Sequence, residues 1–525
     1  MGIPSYFSYI VKNHSNIIKK YTDFLITKKI NNLYIDSNSI IYDALYQIKM
    51  EVYNKKEFEN ILLKKICEKI VEYINIIKPT DIVFIAFDGV APFAKMEQQR
   101  NRRVKSVLER NILKEVQDKE TLPWDKTAIT PGTKFMTKMN KYVKSFFKKK
   151  EDVWGLKKII VSGTDEVGEG EHKLFNYIKE NDHSTKYTVV YGLDADLIML
   201  SINHLPISKN IFLFRETPEF IKSIDKSLNP NESYILDIPL LAHYITEEMT
   251  NINKVKGETR LYDYIFICFL LGNDFLPHFP ALNIRTNGIE YILNAYKNTI
   301  GNSVHRLTNG TEIYWKQFKK FVQYLSNNEY NYIVKEYKIR DKKESRAVDD
   351  PFKKYLLTPV YNRENEIYIN PYEEYWEDRY YSTLFDIEPT YENIKKICIN
   401  YLEGLEWTMK YYTKGCPDWQ WKYKYSYPPL LYDLLKFIPV FNTTMISKNT
   451  NKAVHPYTLL AYVLPKECLN LLPKKIEKRL LKDKKELYPE EYDLHWDYCT
   501  YLWESHLKLP NVSIKELDSF IHSIL

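Results

Sequence analysis

Acidic residues end or interrupt the hydrophobic runs in the first half of this chain of 525 residues. The runs are LYID at 33–36, IVFIAFD at 82–88, VVYGLDADLIML at 189–200 and FICFLLGND at 266–274. In an open parallel sheet, the carboxyl ends of the strands line one edge, where ligands bind. Carboxylates gathered there repel one another unless a cation lies between them. The pattern predicts an acidic metal site with seven candidate ligands: Asp36, Asp88, Glu169, Glu171, Asp194, Asp196 and Asp274.

The same half of the chain alternates strand-like runs with helical periodicity. We predict strands at 32–36, 81–87, 157–163 and 187–193, and helices at 57–77, 94–116 and 171–180. This alternation indicates an α/β fold with a mostly parallel sheet flanked by helices. The stretches 261–335, 391–412 and 455–525 have helical patterns, whereas 338–378 is charged and irregular, as expected of a surface connection.

A basic helix follows one of the acidic strand ends, in the segment AFDGVAPFAKMEQQRNRRVKS at 86–106. Lys95, Gln99, Arg102 and Arg103 recur at i, i+4, i+7 and i+8, which places all four on one helical face. The helix also carries Arg100, Lys105 and Arg110. A cationic face beside a metal site suits a phosphate group. A solvated basic helix is the alternative interpretation of the charge pattern alone.

Two short acidic motifs have the same i, i+2 spacing. Glu169 and Glu171 lie in GTDEVGEGEHK, where an extended, glycine-permitted turn would direct both carboxylates to one side. Asp194 and Asp196 interrupt an apolar stretch, where burial without a cation is costly. An ordinary acidic loop remains the alternative for the first motif. Hard oxygen ligands favour Mg²⁺ or Mn²⁺, and a carboxylate site with two such ions hydrolyses phosphodiesters.

Three other features carry weaker predictions. The segment KGCPDWQWKYKYSYPP at 414–429 alternates aromatic and basic residues, which suits base stacking and also suits an aromatic core. His172 and His278 are expected to make structural hydrogen bonds. The lysines at 148–150 are expected to form a solvated helix end.

Composition restricts the setting of the protein. The net charge is +7, and the six cysteines include no C-x-x-C pair, so we expect neither a zinc site nor a disulfide framework. The first residues lack a signal-peptide pattern, and the apolar runs are too short to span a bilayer. We therefore expect an intracellular protein without a membrane partner.

Ordered motifs along the chain resemble those of the Xrn-type 5′→3′ exoribonucleases. In the first half they are MGIPSYFSYI, LYIDSNSII, FDGVAPFAKMEQQRNRR, AITPGTKFM, GEGEHK, YGLDADLIML and LLGNDFLPH. In the second half they are LEGLEWTMKYY, WQWKYKYSYPP, LLAYVLPKECLNLLP and LYPEEYDLHW. The resemblance implies a PIN/FEN-like sheet in a first conserved region, 1–337, and a helical second region, 379–525, that packs around it and completes an RNA channel. The segment 338–378 would connect the two regions.

The resemblance also assigns roles by position. The seven acids match the Mg²⁺-site carboxylates of the family, and Lys95, Gln99, Arg102 and Arg103 match its pocket for a 5′-monophosphate. Tyr42 stands where the family has a histidine that stacks on a base, and Trp421, with Trp419 as the alternative, would complete the stack. Ser39 replaces a usual glycine.

The expected activity is processive 5′→3′ hydrolysis of RNA with a 5′-monophosphate, in RNA decay, with Mg²⁺ as cofactor and Mn²⁺ as its substitute. We expect a short family member, acting as a monomer downstream of decapping enzymes. The expected compartment is the cytoplasm, with the nucleus as the alternative, and a viral protein acting in the host cytoplasm would fit. Two other functions remain open: a flap-type, structure-specific DNA nuclease and a non-catalytic protein that binds RNA 5′ ends.

Overall fold

The computed structural model describes residues 3, 5–48, 54–117, 124–216, 226, 228–229, 232–250, 258–447 and 449–525. The chain divides into two compact units. The sheet unit comprises Tyr6–Tyr244, Asn451–Lys485 and Val512–Leu525, and the helical unit comprises Met1–Ser5, Ile245–Thr450 and Glu486–Asn511. The units interleave along the chain, whereas the expected regions are consecutive; the boundaries of those regions stay a prediction.

Seven strands of the described residues form one sheet in the sheet unit. They are β1 (Ile18–Lys20), β2 (Asn32–Asp36), β3 (Ile82–Ala86), β4 (Lys158–Ser162), β5 (Tyr187–Tyr191), β6 (Asn210–Glu216) and β7 (Ser233–Asp237). Their order is β1-β7-β6-β5-β2-β3-β4. Strands β2 to β6 run parallel, and β1 and β7 pair antiparallel at one edge. The predicted α/β fold and its four strands are confirmed, and β1, β6 and β7 are additions.

Helices surround this sheet. They are α1 (Tyr6–Asn13), α2 (Tyr21–Thr27), α3 (Asn38–Tyr46), α4 (Lys55–Ile77), α5 (Phe93–Gln117), α6 (Lys134–Phe147), α7 (Glu151–Trp154), α8 (Gly170–Glu180), α9 (Asp196–His204) and α10 (Ile238–Met249), which ends in the helical unit. Later parts of the chain add α21 (Pro456–Val463), α22 (Lys474–Asp483) and α23 (Ile514–His522). The three predicted helices correspond to α4, α5 and α8.

Alternation along β2 decides which way its acidic end residue points. Leu33 and Ile35 join the main hydrophobic core on one face of the sheet. Tyr34 faces the opposite side, where its ring meets Tyr177 of α8 edge-on at 6.0 Å. Because successive strand residues alternate faces, Asp36 points to the same side as Tyr34. The fold thus directs Asp36 toward α8.

The helical unit contains ten further helices among the described residues. They are α11 (Glu258–Cys268), α12 (Gly288–Tyr296), α13 (Trp315–Ser326), α14 (Glu329–Glu344), α15 (Pro351–Leu356), α16 (Thr358–Tyr361), α17 (Glu364–Ile369), α18 (Trp376–Phe385), α19 (Tyr391–Thr413) and α20 (Leu431–Phe437). A two-stranded ribbon, β8 (Asp493–His495) and β9 (His506–Lys508), completes it. No helix within the described ranges has an apolar stretch long enough to cross a bilayer.

The segment 338–378 is helical rather than irregular, and its role as a connection between two regions stays a prediction. This segment contains helices α15, α16 and α17, and its charges are partly buried. Glu366 accepts hydrogen bonds from the Arg340 guanidinium at 2.6 and 2.7 Å and from Arg363 Nε at 2.9 Å. The backbone N–H of Tyr498 donates to Glu366 at 2.8 Å. Buried ion pairs and solvated surfaces contain the same charged residue types, so the sequence alone does not distinguish them.

We expect Glu366→Ala to destabilise the helical unit strongly. Removing this carboxylate leaves two buried guanidinium groups without their shared partner, which costs about 3–5 kcal/mol. Urea unfolding followed by circular dichroism should show a lower midpoint.

Glu392→Ala is the matched control, because Glu392 pairs with Lys395 at 3.8 Å on an exposed helical surface. This change should cost less than about 1 kcal/mol. Equal midpoints for the two variants would contradict the importance of the buried network.

Candidate metal and phosphate site

Two aspartates lie at neighbouring strand ends. Asp36 is the last residue of β2, and Asp88 follows β3 by two residues. Asn38 Nδ2 donates to Asp88 Oδ2, and the backbone N–H of Asp88 donates to Asn38 Oδ1 at 3.2 Å. The backbone N–H of Gly170, at the start of α8, donates to Asp88 Oδ1 at 2.7 Å. These bonds fix the orientation of the Asp88 carboxylate.

Two glutamates come from the start of α8. Glu169 and Glu171 are both buried. Burial, and then the negative charge of Asp88, raises the pKa of Asp36 well above its ordinary range. Burial, and then the charge of Asp196, raises the pKa of Glu171 in the same way. Both shifts show that the carboxylates are crowded and poorly solvated.

The loop after β5 supplies the remaining acids of this cluster. Asp196 is buried as the first residue of α9, whereas Asp194 is exposed. The charge of Asp194 also raises the pKa of Asp36. Six of the seven predicted carboxylates therefore belong to the sheet unit, where they are linked by mutual repulsion.

Lys95 connects the basic helix to this cluster. Its Nζ lies 2.6 Å from Glu169 Oε2, and both side chains are largely buried. The positive charge of Lys95 lowers the pKa of Asp36 and Glu171, opposing the effect of burial. The predicted phosphate-binding face of α5 thus begins at the acidic cluster.

The other predicted phosphate-binding residues lie along the same helix. Gln99 is buried, Arg102 is exposed and Arg103 is half-buried. Burial, and then the adjacent charge of Arg102, lowers the pKa of Arg103 to about 10. Tyr42 of α3 and Asp88 also act electrostatically on Arg103, so this guanidinium lies near both the predicted stacking residue and the acidic cluster.

Arg100 does not join this face. Its guanidinium carbon lies 4.8 Å from the ring centre of Tyr462 in α21, and Arg100 is buried. The charge pattern of the helix did not predict this burial.

Three predicted site residues belong to the helical unit, so their participation stays a prediction. Asp274 is half-buried and follows a short 3-10 turn, Phe269–Leu271. Trp421 is 8% exposed, stacks on Trp407 at 5.3 Å between ring centres, and donates from Nε1 to Glu403 at 3.4 Å. Trp419 is half-exposed.

Sequence reasoning missed several residues around the cluster. Lys173 Nζ donates to the carbonyls of Phe87 and Gly163, each at 2.8 Å, which ties two strand-end loops to α8. Arg215, at the end of β6, donates to the carbonyl of Leu193 at 3.0 Å. The rule used for the acids, a charged residue ending a strand, would have found Arg215.

His172 also lies closer to the acids than expected. Ligand atoms of Glu169, Glu171 and His172 lie within 4.8 Å of one another. Burial, and then the charge of Lys95, lowers the pKa of His172 well below its ordinary value. A neutral imidazole therefore stands beside the carboxylates.

These residues fit a divalent cation. Within the described parts of the chain, Asp36 Oδ1 and Glu171 Oε2 are buried and accept no hydrogen bond. The donors are hard carboxylate oxygens, which suit Mg²⁺ or Mn²⁺. A cation would offset the repulsion that raises the two pKa values. The sheet unit can thus hold a divalent metal ion.

Comparison with known proteins assigns the family. The family model described as "XRN 5'-3' exonuclease N-terminus" matches residues 1–217. The family model described as "Xrn1 helical domain" matches residues 254–358 and 362–524. The chain belongs to the XRN family. The resemblance seen in the motifs is thereby confirmed.

Relatives match almost the whole chain at modest identity. The 5'-3' exoribonuclease 1 of Saccharomyces cerevisiae is 26% identical over 98% of this chain and 43% of its own length. The human 5'-3' exoribonuclease 1 is 27% identical over 98% and 34%. The 5'-3' exoribonuclease 2 homolog of Drosophila melanogaster is 26% identical over 98% and 70%. This XRN chain thus spans less than half the length of the yeast and human relatives.

One solved structure is similar at a low level. It is titled "The catalytic core of Rad2 in complex with DNA substrate (complex III)". The match has a TM-score of 0.32 and 14% identity and covers 67% of this chain and 83% of that one. A likeness this low carries no argument about the XRN chain.

We expect Gly170→Ala to abolish cation binding while preserving the fold. A methyl group at Gly170 would lie 2.6 Å from Asp36 Oδ1 and 3.5 Å from Asp88 Oδ1, so it would displace the Asp36 carboxylate. Alanine is otherwise favourable at a helix start. Titration with Mn²⁺, followed by electron paramagnetic resonance, should show loss of the tight site.

Gly155→Ala serves as the control, since a methyl group there meets nothing within 4 Å. Because the φ of Gly155 is +65°, alanine there should lower the free energy of unfolding by about 1–2 kcal/mol. The affinity for Mn²⁺ should not change. Unchanged Mn²⁺ affinity in Gly170→Ala would show that the cluster does not bind the ion.

Proposed function

We propose that this protein is a processive 5′→3′ exoribonuclease that hydrolyses RNA with a 5′-monophosphate to mononucleotides. Support comes from membership of the XRN family and from the site in the sheet unit. The names of the relatives specify 5'-3' exoribonucleases.

One observation carries the proposal: the contact between Lys95 and Glu169 at 2.6 Å. It joins a face of phosphate-binding residue types to a cluster of metal-binding residue types. A phosphate held by Lys95 would lie within a few ångströms of the carboxylates. Such an arrangement favours cleavage next to a terminal phosphate over cleavage in the interior of a strand.

The carboxylates would hold Mg²⁺, with Mn²⁺ as a substitute. We assign this role to Asp36, Asp88, Glu169, Glu171, Asp194, Asp196 and Asp274. When bound, the cation would activate water and stabilise charge on the phosphodiester oxygens. Asn38 and the N–H of Gly170 hold Asp88 in place, and Lys173 holds the loops that follow β3 and β4. Ligands oriented in this way need little rearrangement during reaction.

The face of Lys95, Gln99, Arg102 and Arg103 would bind the terminal phosphate. Guanidinium groups suit a phosphate because they offer several N–H donors in one plane. Cleavage that leaves the phosphate on the shortened RNA recreates the same end. The product is then the next substrate, so processivity follows from the site. A cap or a triphosphate would be too large for a face built for one phosphate.

Base stacking would hold the first nucleotides. Tyr42 is near enough to Arg103 to act on it electrostatically, and a base attached to the bound phosphate would stack on its ring. Between the two tryptophans, the greater exposure of Trp419 favours it over the buried Trp421 as the second stacking surface.

RNA with a 5′-monophosphate arises when a cap is removed, so we place the protein downstream of decapping enzymes. We further propose a monomer that acts in the cytoplasm, with the nucleus as the alternative.

A time course on end-labelled RNA tests the activity. RNA with a 5′-monophosphate should yield mononucleotides from the start in Mg²⁺, and none in EDTA. Glu171→Gln should lower kcat at least roughly 100-fold with RNA binding retained, because a cation ligand is lost. Glu180→Gln, an exposed position at the end of the same helix, is the control.

The time course also separates the alternatives. Internal cuts at DNA junctions would indicate a flap-type nuclease. Binding of 5′ ends without any hydrolysis would indicate a non-catalytic protein. Either result would refute the proposal.

We expect Arg102→Ala to weaken the preference for a 5′-monophosphate over a 5′-hydroxyl. A charge-assisted hydrogen bond contributes about 1.5–3 kcal/mol, so the ratio of kcat/KM for the two ends should fall about 10- to 100-fold. Lys105→Ala removes an equal charge from the same helix outside the four-residue face. A ratio that changes equally in both variants would indicate a general charge effect.

A further inference from the structure

Tyr462 of α21 contacts three residues of the basic helix α5. Its ring centre lies 5.1 Å from that of Phe93, in an edge-on arrangement, and 4.8 Å from the Arg100 guanidinium carbon. Its hydroxyl donates to Glu97 Oε2. Tyr462 is 2% exposed, so these contacts are shielded from water.

The three contacted residues form one stripe of α5. Phe93, Glu97 and Arg100 follow one another at intervals of four and three residues, which keeps them on one helical face. At about 100° per residue, the centre of this stripe lies about 140° around the helix from the centre of the phosphate-binding face. Tyr462 therefore contacts α5 on roughly the opposite side of the helix from the phosphate-binding face.

Helix α21 is itself held firmly within the sheet unit. Asp518 of α23 accepts hydrogen bonds from the backbone N–H of His455 at 3.0 Å and from Thr458 Oγ1 at 2.6 Å. On another side, Gly132 packs so closely that an added methyl group would lie 3.0 Å from Pro456. Because these contacts hold α21 in place, Tyr462 can fix the position of α5.

We propose that Tyr462 is a positioning residue that sets the rotation of α5 and thereby the selectivity for a 5′-monophosphate. This inference rests on the proposed function. A rotation of about 20° would move side-chain atoms about 6 Å from the helix axis by about 2 Å. Misplacement on that scale is enough to weaken binding of a phosphate by several aligned donors. The hydroxyl of Tyr462 resists this rotation, because its bond to Glu97 is directional.

The effect should be specific to the phosphate. Asp36, Asp88, Glu171 and Asp196 are carried by β2, the loop after β3, α8 and α9, and none by α5. Rotation of α5 would also disturb the contact of Lys95 with Glu169, but it leaves the elements that carry these acids in place. We therefore expect it to affect binding of the RNA end more than hydrolysis.

Tyr462→Phe tests the inference, because it keeps the ring contacts and removes the hydroxyl. Steady-state kinetics should be measured on two RNAs of one sequence, with a 5′-monophosphate or a 5′-hydroxyl. We expect KM for the monophosphate RNA to rise about three- to tenfold, with kcat within about twofold and hydroxyl RNA unaffected. A purely structural role would instead lower the melting temperature and change both substrates alike.

Tyr234→Phe is the matched control. Tyr234 of β7 is also a buried tyrosine whose hydroxyl donates to a glutamate, Glu232, at 3.2 Å. It should leave the ratio of the two substrates unchanged.

A second pair of variants approaches the same bond from Glu97. Glu97→Gln keeps an acceptor for the hydroxyl and should retain selectivity, whereas Glu97→Ala should lose it as Tyr462→Phe does. This pair also decides the matter if Tyr462→Phe does not fold. A wild-type protein without a monophosphate preference would refute the proposed function. A wild-type preference that Glu97→Ala and Tyr462→Phe both retain would refute the role of Tyr462 alone.

Discussion

Repulsion among buried carboxylates is the constraint on which the site depends. Asp36 and Glu171 lie where water is scarce and other acids are near, so the pKa of each is raised. Hydrogen bonds from Asn38 and Gly170 stabilise the negative charge of Asp88, and Lys95 stabilises that of Glu169. What remains is an arrangement of oxygens best satisfied by a divalent cation. The parallel order of β2, β3 and β5 and the position of α8 bring these oxygens together.

Helix α5 makes different contacts on two faces. One face begins at the acidic cluster with Lys95 and continues to Arg103, near Tyr42. The other packs on Tyr462 through ring, cation and hydroxyl contacts. A long cationic helix cannot be held by apolar packing alone, because most of its residues are polar. Within the sheet unit, the buried Tyr462 holds α5 by contacts with a ring, a guanidinium group and a carboxylate of that helix.

Sequence patterns predicted the local parts of this arrangement well. Four strands, three of the helices of the first half and the acids at strand ends follow from hydrophobic periodicity, since each depends on neighbouring residues. The patterns failed where charge is buried. The burial of Arg100 was not predicted, and the segment around Glu366 was expected to be irregular. In both cases a distant partner, Tyr462 or Arg340, makes burial of the charge possible.

By itself the sequence determined the fold class, the positions of acids at strand ends and the shared helical face of Lys95, Gln99, Arg102 and Arg103. These depend on the 2-residue and 3.6-residue periods of strands and helices. The tertiary structure alone decided that Lys95 pairs with Glu169, that Lys173 joins two loops, and that Tyr462 lies opposite the face proposed to bind phosphate. Such contacts join residues far apart in the chain. Their formation depends on which elements pack together, and the local periodicity of the sequence does not predict that packing.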